Sequence, residues 1–236
     1  MIIKSLPSYN ERGITKMLLQ LDTSEGFSFY KKLINAFISH KWILPESMIL
    51  QIVGIDETNL EKVCALLSCH LPEVLEKLDL TCREDSPQSF RCILKTLDSP
   101  KYLRIKSVKL GGFTFSARRY EDSTEGENLA RDTIQFFGSI SERLEFSDCV
   151  FQCEDFKLRE NIEYIVMEMV FTRCSFMNKR KKTKTSILTI MKAFDNGKLG
   201  KSLESIIITD ETLTVGESDI KRCISWRSDV VVHKDY

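Results

Sequence analysis

The chain has 236 residues, 42% of them hydrophobic and 29% charged, and its 34 basic and 34 acidic residues cancel to a formal net charge of zero. That composition is too apolar for a disordered chain and long enough for one large domain or two small ones. No apolar run reaches the ~18 residues of a membrane span, and the balanced charge excludes the strong positive field of a general nucleic-acid or anionic-membrane binder.

The opening residues, Met1 to Pro7, lack the apolar core of a secretory signal. Lys4, Arg12 and Lys16 carry the positive charge of a transit peptide, but Glu11 and Asp22 interrupt it. Eight cysteines in a chain with no export signal are expected to be reduced thiols, which points to the cytoplasm or nucleus.

Residues 1–47 have their own pattern. Ile14, Met17, Leu18 and Leu21 fit one helix face. Phe27, Phe29, Leu33, Ile34, Phe37 and Ile38 fit a second, between a Ser24 cap and Pro45. The pair predicts an N-terminal helical cap over 1–47.

From residue 48 onward the chain repeats itself. Leu144, Phe146, Cys149 and Phe151 recur 25 residues later as Met169, Phe171, Cys174 and Phe176. An apolar-x-x-apolar-x-apolar pattern extends the series to Leu50/Val53/Ile55, Leu75/Leu78/Leu80, Ile105/Val108/Leu110, Val166/Met169/Phe171 and Leu203/Ile206/Ile208. Ser141 fills the first slot before Leu144 and Phe146, and Val230/Val232 makes a last degenerate copy. Helical spacing follows most of these blocks: Leu60, Val63, Cys64 and Leu67; Phe90, Ile93, Leu94 and Leu97; Leu129, Ile134, Phe136 and Phe137; Ile187 to Phe194; Ile220, Cys223 and Ile224.

One strand and one helix per 24–37 residues resembles the leucine-rich repeat, in its ribonuclease-inhibitor-like type. Thr58, Arg83, Phe113 and Glu211 depart from the repeat's Asn/Cys slot, which Cys149 and Cys174 match. The resemblance implies an α/β solenoid over 48–236, with about seven strand–helix repeats, a curved parallel sheet and the 1–47 segment capping its open edge.

In such strands the residues alternating with the apolar anchors point outward. They include Lys77 and Asp79; Lys109; Arg143 and Glu145; Glu168, Val170 and Thr172; Ile207 and Thr209. This mixed face, with two aliphatic residues, suits a protein partner better than a polyanion. Loops at the longer intervals add Arg118, Arg119 and Tyr120, and the basic run Lys179, Arg180, Lys181, Lys182 and Lys184. That run supports the alternative of a nucleic-acid-associated protein, although no aromatic residues interleave to stack bases. Leu6-Pro7 resembles the opening of an F-box module, which would imply a substrate-recognition adaptor of a ubiquitin ligase.

No phosphate loop, nucleophile elbow or metal-binding histidine pair occurs in the sequence. Cys149, Cys153 and Cys174 lack the four-ligand spacing of a zinc site. The expectation is a non-enzymatic interaction scaffold, adaptor or assembly subunit, with no cofactor, no metal and no membrane insertion. The partner implied is another protein.

Overall fold

A computed structural model describes residues 2–5, 9–10, 13–14, 16–23, 47–68, 74–83, 87–98, 104–115, 117–118, 127–152, 158, 162–178, 183–184, 187, 190–191, 202–209, 218, 222 and 231–234. The chain divides into two compact units, Met1–Lys109 and Leu110–Tyr236.

In the first unit the strands stand in the order β1 (Ile2–Ser5), β4 (Lys16–Asp22), β5 (Ser47–Ile55), β6 (Val74–Cys82), β7 (Arg104–Gly111), the last of which runs through the division. β1 is antiparallel to β4, whereas β4–β5 and β5–β6 are parallel. A two-stranded ribbon, β2 (Tyr9–Asn10) and β3 (Gly13–Ile14), precedes β4. Helices α1 (Leu60–Ser68) and α2 (Pro87–Leu97) follow β5 and β6 and pack on each other. They bury Val63, Leu66 and Leu67 from α1 and Phe90, Ile93 and Leu97 from α2.

The start of α1 shows how the sequence ends a strand and begins a helix. The Asp56 carboxylate accepts from the Thr58 and Asn59 backbone N–H groups at 2.9 and 3.1 Å and from the Thr58 hydroxyl at 2.6 Å. Asn59 answers by accepting from the Asp56 N–H at 3.0 Å and donating to the Gly54 carbonyl at 3.1 Å. Donors that a helix start leaves without backbone partners are satisfied here by two short polar side chains.

In the second unit a parallel sheet runs β11 (Ser141–Ser147), β13 (Glu168–Thr172), β16 (Ser205–Thr209), β17 (Val231–Lys234). A second, shorter sheet stands β8 (Thr114–Phe115), β12 (Val150–Gln152), β14 (Ser175–Asn178), β15 (Thr183–Lys184), with β15 antiparallel. β9 (Ala117–Arg118) pairs with β10 (Glu127–Asn128), which leads into α3 (Leu129–Ile140). Asn128 caps α3 by accepting from the Arg131 N–H at 3.0 Å.

The 25-residue repeat is a register in space. Leu144 stands opposite Met169, Phe146 opposite Phe171, and Phe151 opposite Phe176. Sharp corners separate the two strands of each copy, and Gly112, Asp148 and Arg173 make them at positive φ, 71°, 54° and 49°. Each corner N–H donates to a carbonyl of the next strand: Gly112 to Ser147, Asp148 to Thr172 and Arg173 to Thr209, at 2.8–2.9 Å. The corners bring the phenylalanines into a ladder. Phe151 lies 5.0 Å from Phe115 and 5.2 Å from Phe176 between ring centroids, and Phe146 stacks on Phe171 at 5.4 Å. All five rings are buried, each contributing on the order of 2 kcal/mol by area.

These observations correct the solenoid expectation. In each unit the parallel sheet is flat rather than curled, and among the described residues there are three α-helices rather than about seven. The leucine-rich-repeat resemblance, with its ribonuclease-inhibitor-like type, therefore does not hold. The physical reason is visible between β12 and β13. The chain after a main strand turns at a left-handed corner into a second strand, and residues 162–167 then approach β13 without forming a helix. Their backbone is satisfied instead by the end of α3, whose Gly138 carbonyl accepts from Ile165 and Val166 at 2.9 and 3.1 Å.

Other expectations change locally. The segment from Ile14 to Leu21 holds strand β4 rather than a helix, because Met17, Leu19 and Leu21 are buried in alternation while Leu18 takes the other face. The expected helix over Phe27–Ile38 lies outside the described residues. In β5 the inward residues are Leu50, Ile52 and Ile55, and Val53 is 38% exposed. Val53 follows the inward Ile52 and takes the other face by ordinary alternation; Gly54, at φ +80°, then adds one residue between the pairs Val53–Thr81 and Ile55–Cys82, which turns Ile55 inward. The last copy is shifted by two, since Ile206 stands opposite Val232 rather than Val230.

Ser141, a hydroxyl in an apolar slot, is fully buried and donates to the Phe137 carbonyl at 2.7 Å. It ends α3 and opens β11 in one residue, so the departure from the repeat pattern is a helix cap.

Candidate interaction surface

The residues between the inward anchors form a polar face on each unit's strands. In the first unit, register aligns Gln20, Gln51 and Asp79 in one row and Leu18, Ile49 and Lys77 in the next. Gln51 donates to the Asp79 carboxylate at 3.3 Å, and the Lys77 ammonium lies 3.4 Å from the same oxygen. Lys109 is half-buried on β7.

In the second unit the rows are Arg143, Glu168, Ser205; Glu145, Val170, Ile207; and Ser147, Thr172, Thr209. Arg143 is the hub. One guanidinium nitrogen donates to the Glu168 carboxylate of the neighbouring strand, and another lies 3.6 Å from Glu145. Both partners are partly covered and Arg143 is 40% exposed, so the network is screened rather than buried.

Val170 departs from the expected exposure. It is only 5% exposed, although its neighbours Met169 and Phe171 already fill the opposite face. β13 is thus covered on both faces. Ile207, Thr172 and Thr209 are half-buried and reach the surface as expected.

The loop candidates are less defined. Arg118 lies on β9 and Lys184 on β15, described by backbone alone. Arg119, Tyr120, Lys179, Arg180, Lys181 and Lys182 lie outside the described residues.

The corner thiols have a structural explanation. The single Cys149 S–H is shared between the Leu110 and Ser147 carbonyls, both at 3.3 Å, and that of Cys174 between the Phe146 and Thr172 carbonyls at 3.4 and 3.5 Å. Contact with Cys149, together with burial, pushes the Cys174 thiol well above its ordinary range. Among the described residues no group of three or more His, Cys, Asp or Glu side chains is placed to hold a metal ion, and Cys153 is not among them. No helix among the described residues is long and apolar enough to cross a membrane.

Two features of this surface escape a reading of anchors alone. Gln51 joins the Asp79 cluster because it stands directly opposite Asp79 in register, between the inward Leu50 and Ile52. Asp148 and Arg173 form an ion pair because the 25-residue offset puts opposite charges at the same corner, a signal present in the repeat itself. Comparison with family models, with curated proteins and with solved structures found no match.

Proposed function

We propose that the chain is a non-enzymatic scaffold or assembly subunit that binds a partner protein through the polar strand face of its second unit. The carrying observation is the Arg143 network beside Ile207. The guanidinium already faces two carboxylates, so a nucleic-acid phosphate would have to displace them, whereas a protein surface can use both signs. Ile207, half-buried between Val170 and β17, supplies an aliphatic spot at the centre of a polar rim, the arrangement protein interfaces favour.

The test is crosslinking and affinity capture of the tagged chain from its own cell extract, with wild type compared to Ile207→Asp. Runs at low and high salt, with and without nuclease, separate the two partner classes. A stoichiometric protein crosslinked near Arg143–Thr209, and lost in the variant while its Tm is unchanged, supports the reading. A catch that vanishes with nuclease or moderate salt and crosslinks through Lys179–Lys184 overturns it in favour of phosphate contacts.

A further inference from the structure

Residues 163–167 approach β13 with alternating exposure. Tyr164 and Val166 are buried, whereas Glu163, Ile165 and Met167 are exposed. Ile165 and Met167 are therefore neighbours on one outward face, 37% and 39% exposed. The other large apolar side chains so exposed among the described residues, Val53 and Met177, stand singly on separate strands. Here two adjoin, which makes an apolar strip at the surface.

Met167 is also tied across the sheet. Its N–H donates to the Glu142 carbonyl at 2.8 Å, and its own carbonyl accepts from the Glu204 and Ser205 N–H groups at 2.7 and 3.0 Å. Glu142, Met167 and Glu204 thus continue by one residue the row Arg143, Glu168, Ser205, and all three are exposed. With ~4.8 Å between strands, the two glutamates leave the backbone about 10 Å apart, and Met167 lies between them. Glu163 adds a third carboxylate beyond Ile165. None of the three is paired with a cation among the described residues, since Arg143 is engaged by Glu145 and Glu168. Nor do they converge as metal ligands.

We propose that Ile165 and Met167 dock a basic segment of the partner protein, one with Lys or Arg on both sides of an aliphatic residue; this rests on the reading of the second unit's strand face as a protein interface. The methylenes of a partner Lys or Arg lie over the strip while its charged head reaches Glu142 or Glu204. An arginine takes either carboxylate in a two-point contact. The unbranched, polarizable Met167 side chain adapts to the aliphatic group between the cations. Polyanions, by contrast, meet repulsion from the uncompensated acids.

The test pans a random-peptide display library on the full chain, with Glu142→Lys/Glu204→Lys used for counter-selection. Enriched peptides are synthesised with a photo-crosslinker, and their affinity is measured for wild type, Met167→Asp and Glu61→Lys, an exposed charge reversal on α1. The expected consensus has two or more Lys or Arg around an aliphatic residue and crosslinks to residues 163–167. Its Kd rises by about tenfold or more in Met167→Asp and in high salt, and stays unchanged in Glu61→Lys. An acidic or uncharged consensus, a crosslink elsewhere, or no peptide that tells wild type from the counter-selection variant overturns the proposal. Because consensus and crosslink are read on wild type, a variant that fails to fold does not rescue it. Such a failure, with native partner capture still lost in Ile207→Asp, removes this contact and leaves the scaffold reading standing.

Discussion

Arg173 grips Asp148 through two hydrogen bonds of 2.7 Å, Nε to Oδ1 and Nη2 to Oδ2, and both residues are left-handed corners of adjacent repeats. The carboxylate holds the guanidinium pKa above its usual value. The pair is exposed to water, so its geometry fixes the corners more than it stabilises the fold. A double-mutant cycle with Asp148→Ala and Arg173→Ala, followed by thermal melts, should give a small favourable coupling that fades as salt is raised. A coupling that persists in high salt would mean the pair is shielded from solvent.

Beneath those corners the phenylalanine ladder carries much more of the stability. Phe171 is almost fully buried, stacks on Phe146, and meets Phe151 and Phe176 with centroids 6.0 and 6.1 Å away. Phe171→Ala should cost about 3–5 kcal/mol in a urea titration, since it leaves a cavity among rings that cannot collapse around it. Phe136→Ala, at a half-buried helix position, should cost clearly less.

The repeat was legible because a fixed 25-residue offset in Phe and Cys survives as strand register, and the patterns over Leu60–Leu67, Phe90–Leu97 and Leu129–Phe137 fall on the three helices. What misled was local. Met17, Leu18 and Leu21 satisfy helical spacing, yet Met17, Leu19 and Leu21 satisfy strand spacing equally well, and pairing with β5 decides between them. At Val53 the apolar spacing was right in form, but Ile52 takes the inward place beside it, and a glycine at positive φ then turns Ile55 inward. Strand pairing partners and bulges are long-range properties, and a repeat unit read as strand-then-helix concealed the second strand beyond each corner. The polar face followed from alternation except at Val170, whose cover depends on neighbouring strands.

The Gly54 bulge is testable by itself. A Cβ added there would stand 2.8 Å from the Thr23 hydroxyl oxygen, which bonds the Gly54 carbonyl, and the residue would be held at φ +80°. Gly54→Ala should destabilise the first unit by roughly 1–3 kcal/mol. The same register requires that Val53→Asp be tolerated and Ile52→Asp unfold the unit, because Ile52 is fully buried. The reverse order in Tm would place the strand one residue out of phase.

Asp56 makes a pH-dependent contribution with a definite sign. The Thr58 hydroxyl, then the Asn59 and Thr58 N–H groups, hold its carboxyl below the ordinary value of 3.8. A depressed folded-state pKa means stabilisation that is full above the unfolded value and lost as pH falls through the folded one. The gap in Tm between wild type and Asp56→Ala should therefore be constant above about pH 5 and shrink steadily below about pH 4. A gap that grows on acidification would show that the carboxyl is protonated in its hydrogen-bonded state.

Val170 and Ile207 occupy one row of the second unit's face, with Glu145 on the other side of Val170, and they should respond differently to the same charge. At Ile207 an aspartate can reach water, so Ile207→Asp should melt within a few degrees of wild type and remove partner capture. At Val170, only 5% exposed, the new carboxylate would be desolvated and set beside Glu145, directly opposite in register. Val170→Asp should lower Tm well before binding is considered, and Val170→Thr should lower it less. If both aspartate variants fold normally and only Val170→Asp loses the partner, the contact centres on β13 rather than on β16.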